Sequence, residues 1–240
     1  MSMSEGPAKF ELVTSSTATQ RAVDAILIAA RTEAAIMLLA EIGTEVDLLA
    51  RFAHDHSAHR KHTFLSISCP SLTDLPAEIL SKANGGTIFF EEVGKLVPGL
   101  QVKLVHLLES HSTKEPTIRV ISASRRDLVE EVKTGNFRND LFFRLNVVEI
   151  RVPPLRERRE DILPLTRGLV TSLSAELGRR VPSLSEDAEA MLLQHSWPGN
   201  LRELKNLVER ALLIWPGDVL KTEAFTEIKG ADVFGRLRAR

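Results

Sequence analysis

The sequence predicts an α/β fold, an open sheet of short buried strands, followed by an all-helical C-terminal subdomain. Three observations predict it. Short apolar runs at 34–40, 64–69, 87–90, 117–123 and 147–152 alternate with stretches whose apolar residues recur at helical spacing. The run Asn84-Gly85-Gly86-Thr87-Ile88-Phe89-Phe90 ends in two adjacent acids, Glu91 and Glu92, as expected of a strand buried on both faces that delivers carboxylates at its C-terminal edge. Strand-like runs stop at Pro153-Pro154, and from Asp161 onward the pattern is helical throughout.

In chain order, residues 1–20 are small and polar and read as a flexible segment. A helical stripe follows over Arg21 to Arg31 through positions 22, 25, 26 and 29. Ala34 to Ala40 reads as a buried strand or a short helix, since periodicity cannot separate the two over so few residues. Asp47 to His56 restores a helical pattern, with Asp47 near the positive end of the helix. Phe64 to Cys69 is a second strand, closed by Pro70. The histidines 54, 56, 59 and 62 invite a metal reading. They lack interleaved acids at ligand spacing and read as a solvated helix end and loop, so no metal site is assigned.

Helices are expected over Leu96 to Glu109, Leu128 to Lys133 and the face Phe137, Leu141, Phe142, Leu145, with strands over Thr117 to Ala123 and Val147 to Val152. Three more helices follow the double proline: Ile162 to Glu176, ending before Gly178, then Ser185 to Gln194, then one starting at Asn200 with Glu203 as its capping-box partner.

Composition bounds the function. The 240 residues, 43% hydrophobic, suffice for a full core, and 31 basic against 32 acidic residues leave a net charge of -1 with no global pull towards nucleic acid or an anionic membrane. Cys69 is the single cysteine, so neither a disulfide framework nor a thiolate cluster is available. Without an apolar span of membrane length or a leader-like start, cytoplasmic location is the expectation.

Four stretches carry a resemblance: GGTIFFEEVG (85–94), LQVKLVHLLE (100–109), FRNDLFFRLNVVEIRVPPLRERREDI (137–162) and WPGNLRELKNLVERA (197–211). Together they resemble the AAA+ domain of bacterial enhancer-binding proteins, activators that use ATP to remodel RNA polymerase held by sigma-54. The resemblance implies a P-loop NTPase-like three-layer sandwich over 21–154, a helical lid over 155–225 and a short tail over 226–240.

It also implies site residues. The family's phosphate loop falls on Ala40, Glu41, Ile42, Gly43, Thr44, Glu45, Val46 and Asp47, where two of three glycines and the lysine are replaced. Glu45 sets a negative charge where polyphosphate lies, and a like charge at about 4 Å costs on the order of several kcal/mol at intermediate dielectric. The family's Asp-Glu pair falls on Glu91 and Glu92, and its sensing asparagine on Arg125. Arg138 and Arg144 match the fingers that complete a neighbouring subunit's site, and Arg202 matches the lid arginine that senses nucleotide in cis. The null for the two fingers is pairing with Asp140, Glu149 or other surface acids. The insertion bearing the GAFTGA loop is reduced to Ser81-Lys82-Ala83, the second pore-side loop is shortened to 110–116, and neither a receiver nor a helix-turn-helix domain is expected in this chain.

These replacements lead to the expectation of a degenerate, truncated, nucleotide-hydrolysis-defective member, a pseudo-ATPase that modulates transcription through an intact homologue. ATP and magnesium enter only if the altered site still works. The expected partner is a homologous full-length enhancer-binding protein or a second copy, with direct sigma-54 contact, specific DNA binding and membrane binding not expected. The rival reading is a working ATPase with an unusual site that remodels sigma-54 RNA polymerase, and a third is a decaying gene product without a partner.

Overall fold

The computed structural model describes residues 15–74, 82–83, 85–111 and 118–226. Expectations for 1–14, for Ser81 and Asn84 of the shortened bridge, for 112–117 of the second loop and for the tail beyond 226 lie outside the described residues. The chain divides into two compact units, Gln20–Pro153 and Met1–Thr19 together with Pro154–Arg240.

The first unit is an α/β layer structure, as the alternating runs predict. Its strands are β1 (Ile36–Leu39), β2 (Phe64–Ser68), β3 (Thr87–Glu91), β4 (Arg119–Ser124) and β5 (Val148–Arg151). They form one sheet in the order β2-β3-β4-β1-β5, with every pairing parallel. β1 lies between β4 and β5, and this pairing resolves the strand-or-helix ambiguity of 34–40: Ile36 pairs with Ile121 on one side and Val148 on the other. The helices are α1 (Thr17–Ala30), α2 (Val46–Asp55), α3 (Pro98–His111), α4 (Leu128–Lys133) and α5 (Asn139–Leu145). Met37, Ile88, Phe90, Leu100, Leu104, Val120, Leu141 and Leu145 share one buried cluster. Gly86 is required where it stands, because a Cβ there would come within 2.1 Å of the Thr63 carbonyl oxygen.

Two of the histidines expected in solvent are buried instead. His54 Nδ1 lies 2.8 Å from Thr87 Oγ1, tying α2 to β3, and His59 bridges the Gly85 carbonyl and Glu33, both at 2.8 Å. Histidine suits these places because its ring is apolar enough to bury while each nitrogen finds a partner. Burial is the chief cause holding the His54 pKa below 6.5, with the nearby Asp55 carboxylate opposing it. A histidine whose folded pKa is depressed costs stability as pH falls below its unfolded value, because the unfolded chain then binds the proton the native state refuses. The denaturation midpoint is therefore expected to drop as pH falls from 6.5, and His54→Gln should flatten that limb in urea titrations run across the same window.

Arg119, on β4, is almost wholly buried. Its guanidinium donates to the Ala29, Ala30 and Thr32 carbonyls at 2.8, 2.9 and 2.7 Å, capping the C-terminal end of α1, where carbonyls lack helical partners.

The second unit holds α6 (Ile162–Glu176), α7 (Glu186–Gln194), α8 (Asn200–Ile214) and the short α9 (Thr222–Phe225). Ser185 caps α7 by accepting from the Ala188 N–H, and Gly178 follows α6 at φ +62, as a helix-ending glycine should. Two expectations are corrected here. The subdomain is not purely helical, because β6 (Ser183–Leu184) and β7 (Val219–Leu220) pair in parallel, a ladder too short to leave an alternating pattern in sequence. Asn200 is buried at φ +51, and its Oδ1 accepts from the Leu155 N–H at 2.7 Å. Glu203 does turn back as a capping partner, but to the Gly199 N–H, at 2.8 Å. The polar stretch at the N-terminus is also anchored where it is described: Ser16 and Thr19 are buried, and both donate to the buried Asp161 carboxylate.

Candidate functional site

Open parallel sheets present ligand sites outside the carboxyl ends of their strands, where neighbouring connections diverge. Here three connections leave that edge side by side, after β1, after β4 and after β3. The Ala40 N–H donates to the Ser124 carbonyl at 3.1 Å, so the segment after β1 starts against the last residue of β4. Residues 40–47 then turn into α2, with Thr44 Oγ1 donating to the Glu41 carbonyl at 2.8 Å.

The turn is made by Gly43 at φ +77 and Glu45 at φ +53. α2 opens at Glu45 without a side-chain cap, and a helix start leaves first-turn N–H groups directed at whatever lies beyond it, with the positive end of the helix dipole behind them. Left-handed backbone at a glutamate costs roughly 1 kcal/mol relative to glycine. Glu45→Gly is therefore expected to raise stability by about that amount, read as a higher urea midpoint at unchanged slope.

Glu91 ends β3 in register with Ser68, half-buried, and Glu92 follows in the left-handed region at φ +59 with its carboxylate buried. Arg125 meets it: Nε lies 2.5 Å from Glu92 Oε1. The sequence brought the two residues to one edge, but not to one another. Cys69 lies close enough for its thiol to register them, its pKa being pushed up to about 12, first by burial and then by Glu91 and Glu92. That thiol is inert as a nucleophile or metal ligand at neutral pH. The adjacent Arg126 has other partners, the Gly94 carbonyl at 3.5 Å and Glu131 at 3.2 Å.

Arg138 and Arg144 stand on and beside α5. Arg138 forks onto Asp140 at 3.0 and 2.7 Å, which raises its own pKa and holds the Asp140 carboxyl below the usual range. Arg144 reaches Glu109 at 2.6 Å. Both pairs are exposed, where ion pairs are weak and readily exchanged. Phe143 and Val147 beside them leave 66% and 58% of their surface in solvent. Arg202, in the second unit, is exposed on the first turn of α8.

The sequence matches the sigma-54 interaction domain over residues 13–155 and the AAA+ ATPase lid domain over 156–230. The chain belongs to the sigma-54 interaction domain family. Among its relatives, the transcriptional regulatory protein ZraR of Klebsiella oxytoca is 34% identical over 89% of this chain, and the HTH-type transcriptional regulatory protein TyrR of Enterobacter agglomerans is 37% identical over 80%. The chain covers 54% and 42% of those two proteins, about half their length. Among solved structures, NtrX from Brucella abortus in complex with ADP matches 94% of the chain at a TM-score of 0.83 and 30% identity, covering 57% of that protein. NtrX in complex with ATP matches 90% at 0.81 and 30% identity, covering 56% of that protein. The RuvB branch migration motor of Thermotoga maritima, at 15% identity and a TM-score of 0.64, shares the fold.

These relatives correct the expectation of a degenerate, truncated, hydrolysis-defective pseudo-ATPase. Regulators matching this sigma-54 interaction chain along almost its whole length are captured with ADP and with ATP. The expectation weighed side chains alone, whereas much of phosphate recognition in this fold class rests on backbone N–H groups at a helix start. The turn that presents such groups is built here, with Glu45 taking a glycine's backbone conformation. Among the described residues, no helix is long and apolar enough to cross a membrane.

Proposed function

We propose that this chain is the ATP-driven module of a sigma-54-dependent transcriptional regulator, binding and hydrolysing ATP with magnesium at an atypical site and so remodelling RNA polymerase held by sigma-54. The observation that carries this is the uncapped start of α2, turned by Gly43 and Glu45 beside β4 and next to Glu91 and Glu92. The ADP and ATP held by NtrX support it.

The residues fit a magnesium nucleotide in a particular way. The α2 start supplies N–H donors for phosphate oxygens, and Glu91 and Glu92 supply carboxylates, of which magnesium needs one or two beside phosphate and water. Bound magnesium supplies charge neutralisation at the phosphates. That matters more here than in a loop with a lysine, because 40–47 carries Glu41, Glu45 and Asp47 and no basic residue. Binding is accordingly magnesium-dependent.

The module works in the cytoplasm, without specific DNA or membrane binding of its own, in a ring with copies of itself or with a full-length homologue. Arg138 and Arg144 give up Asp140 and Glu109 for a neighbour's phosphates, with Phe143 and Val147 supplying apolar contact. Arginine suits that role through its rigid fork, which lysine lacks. The chain reaches sigma-54 as a subunit of that ring.

Titration of the purified chain with a fluorescent ATP analogue, followed by phosphate release, tests the reading. Saturable binding that EDTA abolishes, with turnover above background, is the expected result, and no binding at millimolar ATP with magnesium overturns it. Titrating a full-length homologue with this chain tests the ring: its ATPase rate should change, and Arg144→Ala should remove the change while leaving association intact in ultracentrifugation.

A further inference from the structure

We propose that Arg125 is the phosphate-binding cation of this chain, held by Glu92 in the nucleotide-free state and handed to the terminal phosphates when a magnesium nucleotide binds. The inference rests on the nucleotide reading above and names the side chain that makes such a site workable.

The charge balance requires a cation. No lysine occurs between Lys9 and Lys61, and the phosphate-loop positions 40–47 are acidic. A polyphosphate with only backbone donors would face carboxylates before and behind it, so a positive side chain must reach the same edge. Arg125 is placed to do so. It is the first residue after β4, the strand between β3 with its acids and β1 with its phosphate turn. The Ser124 carbonyl immediately before it holds the Ala40 N–H at 3.1 Å, so Arg125 leaves the sheet beside the start of the turn.

Its backbone is fixed. Ser124 Oγ donates to the Arg126 carbonyl at 2.9 Å and accepts from the Arg126 N–H at 3.1 Å, closing a small loop around residue 125. Arg126 is drawn away to Gly94 and Glu131, which leaves the edge to Arg125. The side chain of Arg125 keeps 35% of its surface exposed, whereas that of Glu92 keeps 7%. The pair is thus open on the arginine's side: an incoming anion can reach the guanidinium without unburying the carboxylate. A planar guanidinium presents donors on more than one edge, so it can turn one to phosphate while Nε stays near Glu92 or leaves it to a magnesium-bound water.

Binding of magnesium ADP and magnesium ATP to the full chain tests this by calorimetry, with thermal unfolding of each variant as the control. Glu92→Gln loosens the latch without removing the cation and should tighten ATP binding several-fold. Arg125→Ala should weaken ATP by about tenfold or more, the usual loss for one charge-assisted contact, and ADP by less. Arg125→Ala also strands a buried carboxylate, so the double variant Arg125→Gln with Glu92→Gln supplies a neutral, hydrogen-bonding pair of similar size. It should fold and still show the tenfold loss. Parental affinity in the double variant, or an unchanged affinity in Glu92→Gln, overturns the role of Arg125 while leaving the nucleotide reading intact. A parent chain that binds neither nucleotide overturns that reading itself.

Discussion

Trp197→Ala is expected to destabilise the second unit by about 3–5 kcal/mol, the usual cost of deleting a large aromatic side chain from a closed core. Trp197 is fully buried among Leu169, Leu192, Leu204 and Val208, and its Nε1 donates to the Leu192 carbonyl at 3.0 Å. Its backbone sits at φ +52, a conformation a bulky residue keeps only when its surroundings over-determine it. Removing the indole removes that constraint, and the corner Trp197-Pro198-Gly199 that leads into α8 loses its anchor. Trp197→Phe should cost markedly less, since it refills most of the volume and forfeits chiefly the hydrogen bond. Urea unfolding followed separately by Trp215 fluorescence and by circular dichroism measures the loss. Arg202 lies on the first turn of α8, so the alanine variant should also blunt any nucleotide response of the lid while leaving the α/β unit folded.

Arg119→Leu is expected to cost about 2–5 kcal/mol in the α/β unit. The Ala30 and Thr32 carbonyls lose a charged donor, whereas Ala29 keeps a bond from the Thr32 N–H at 3.0 Å. Leucine fills the volume but offers those carbonyls nothing, and a buried acceptor without a donor costs more than the mean worth of a hydrogen bond. Some of the loss is returned because a buried cation no longer has to be desolvated, the same burial that lowers the Arg119 pKa. Arg119→Lys retains the charge but has a single nitrogen for three carbonyls, and should fall between leucine and the parent. A chemical unfolding midpoint unchanged by leucine would show that α1 finds another cap.

Much of the architecture is legible because its signals are local. Apolar runs of four to six residues mark β2 to β5, and their order of appearance between helical stripes marks an α/β unit. β1 was not decidable, because IMLL in isolation suits a strand or a helix and only its place between β4 and β5 selects one. The ladder of β6 and β7 leaves no signal, since two residues do not make a period. The histidines misled for a related reason: a polar stretch reads as solvated unless the acceptors that bury it, here Thr87, Gly85 and Glu33, are known to lie opposite.

The site divides in the same way. By itself the sequence determined which residues stand at the carboxyl edge of the sheet: the turn 40–47, Glu91 and Glu92 after one strand and Arg125 after the next, because strand ends and turn residues are written locally. Only the tertiary structure decided what they do to one another. It gave Glu45 a glycine's backbone conformation, left the start of α2 without a side-chain cap, and set Arg125 on Glu92. The reason is physical: a side chain's partner and a strained φ are set by strands far apart in the chain that become neighbours only when the sheet closes. Counting replaced side chains therefore led to a dead site, whereas the folded backbone keeps the turn on which phosphate recognition depends.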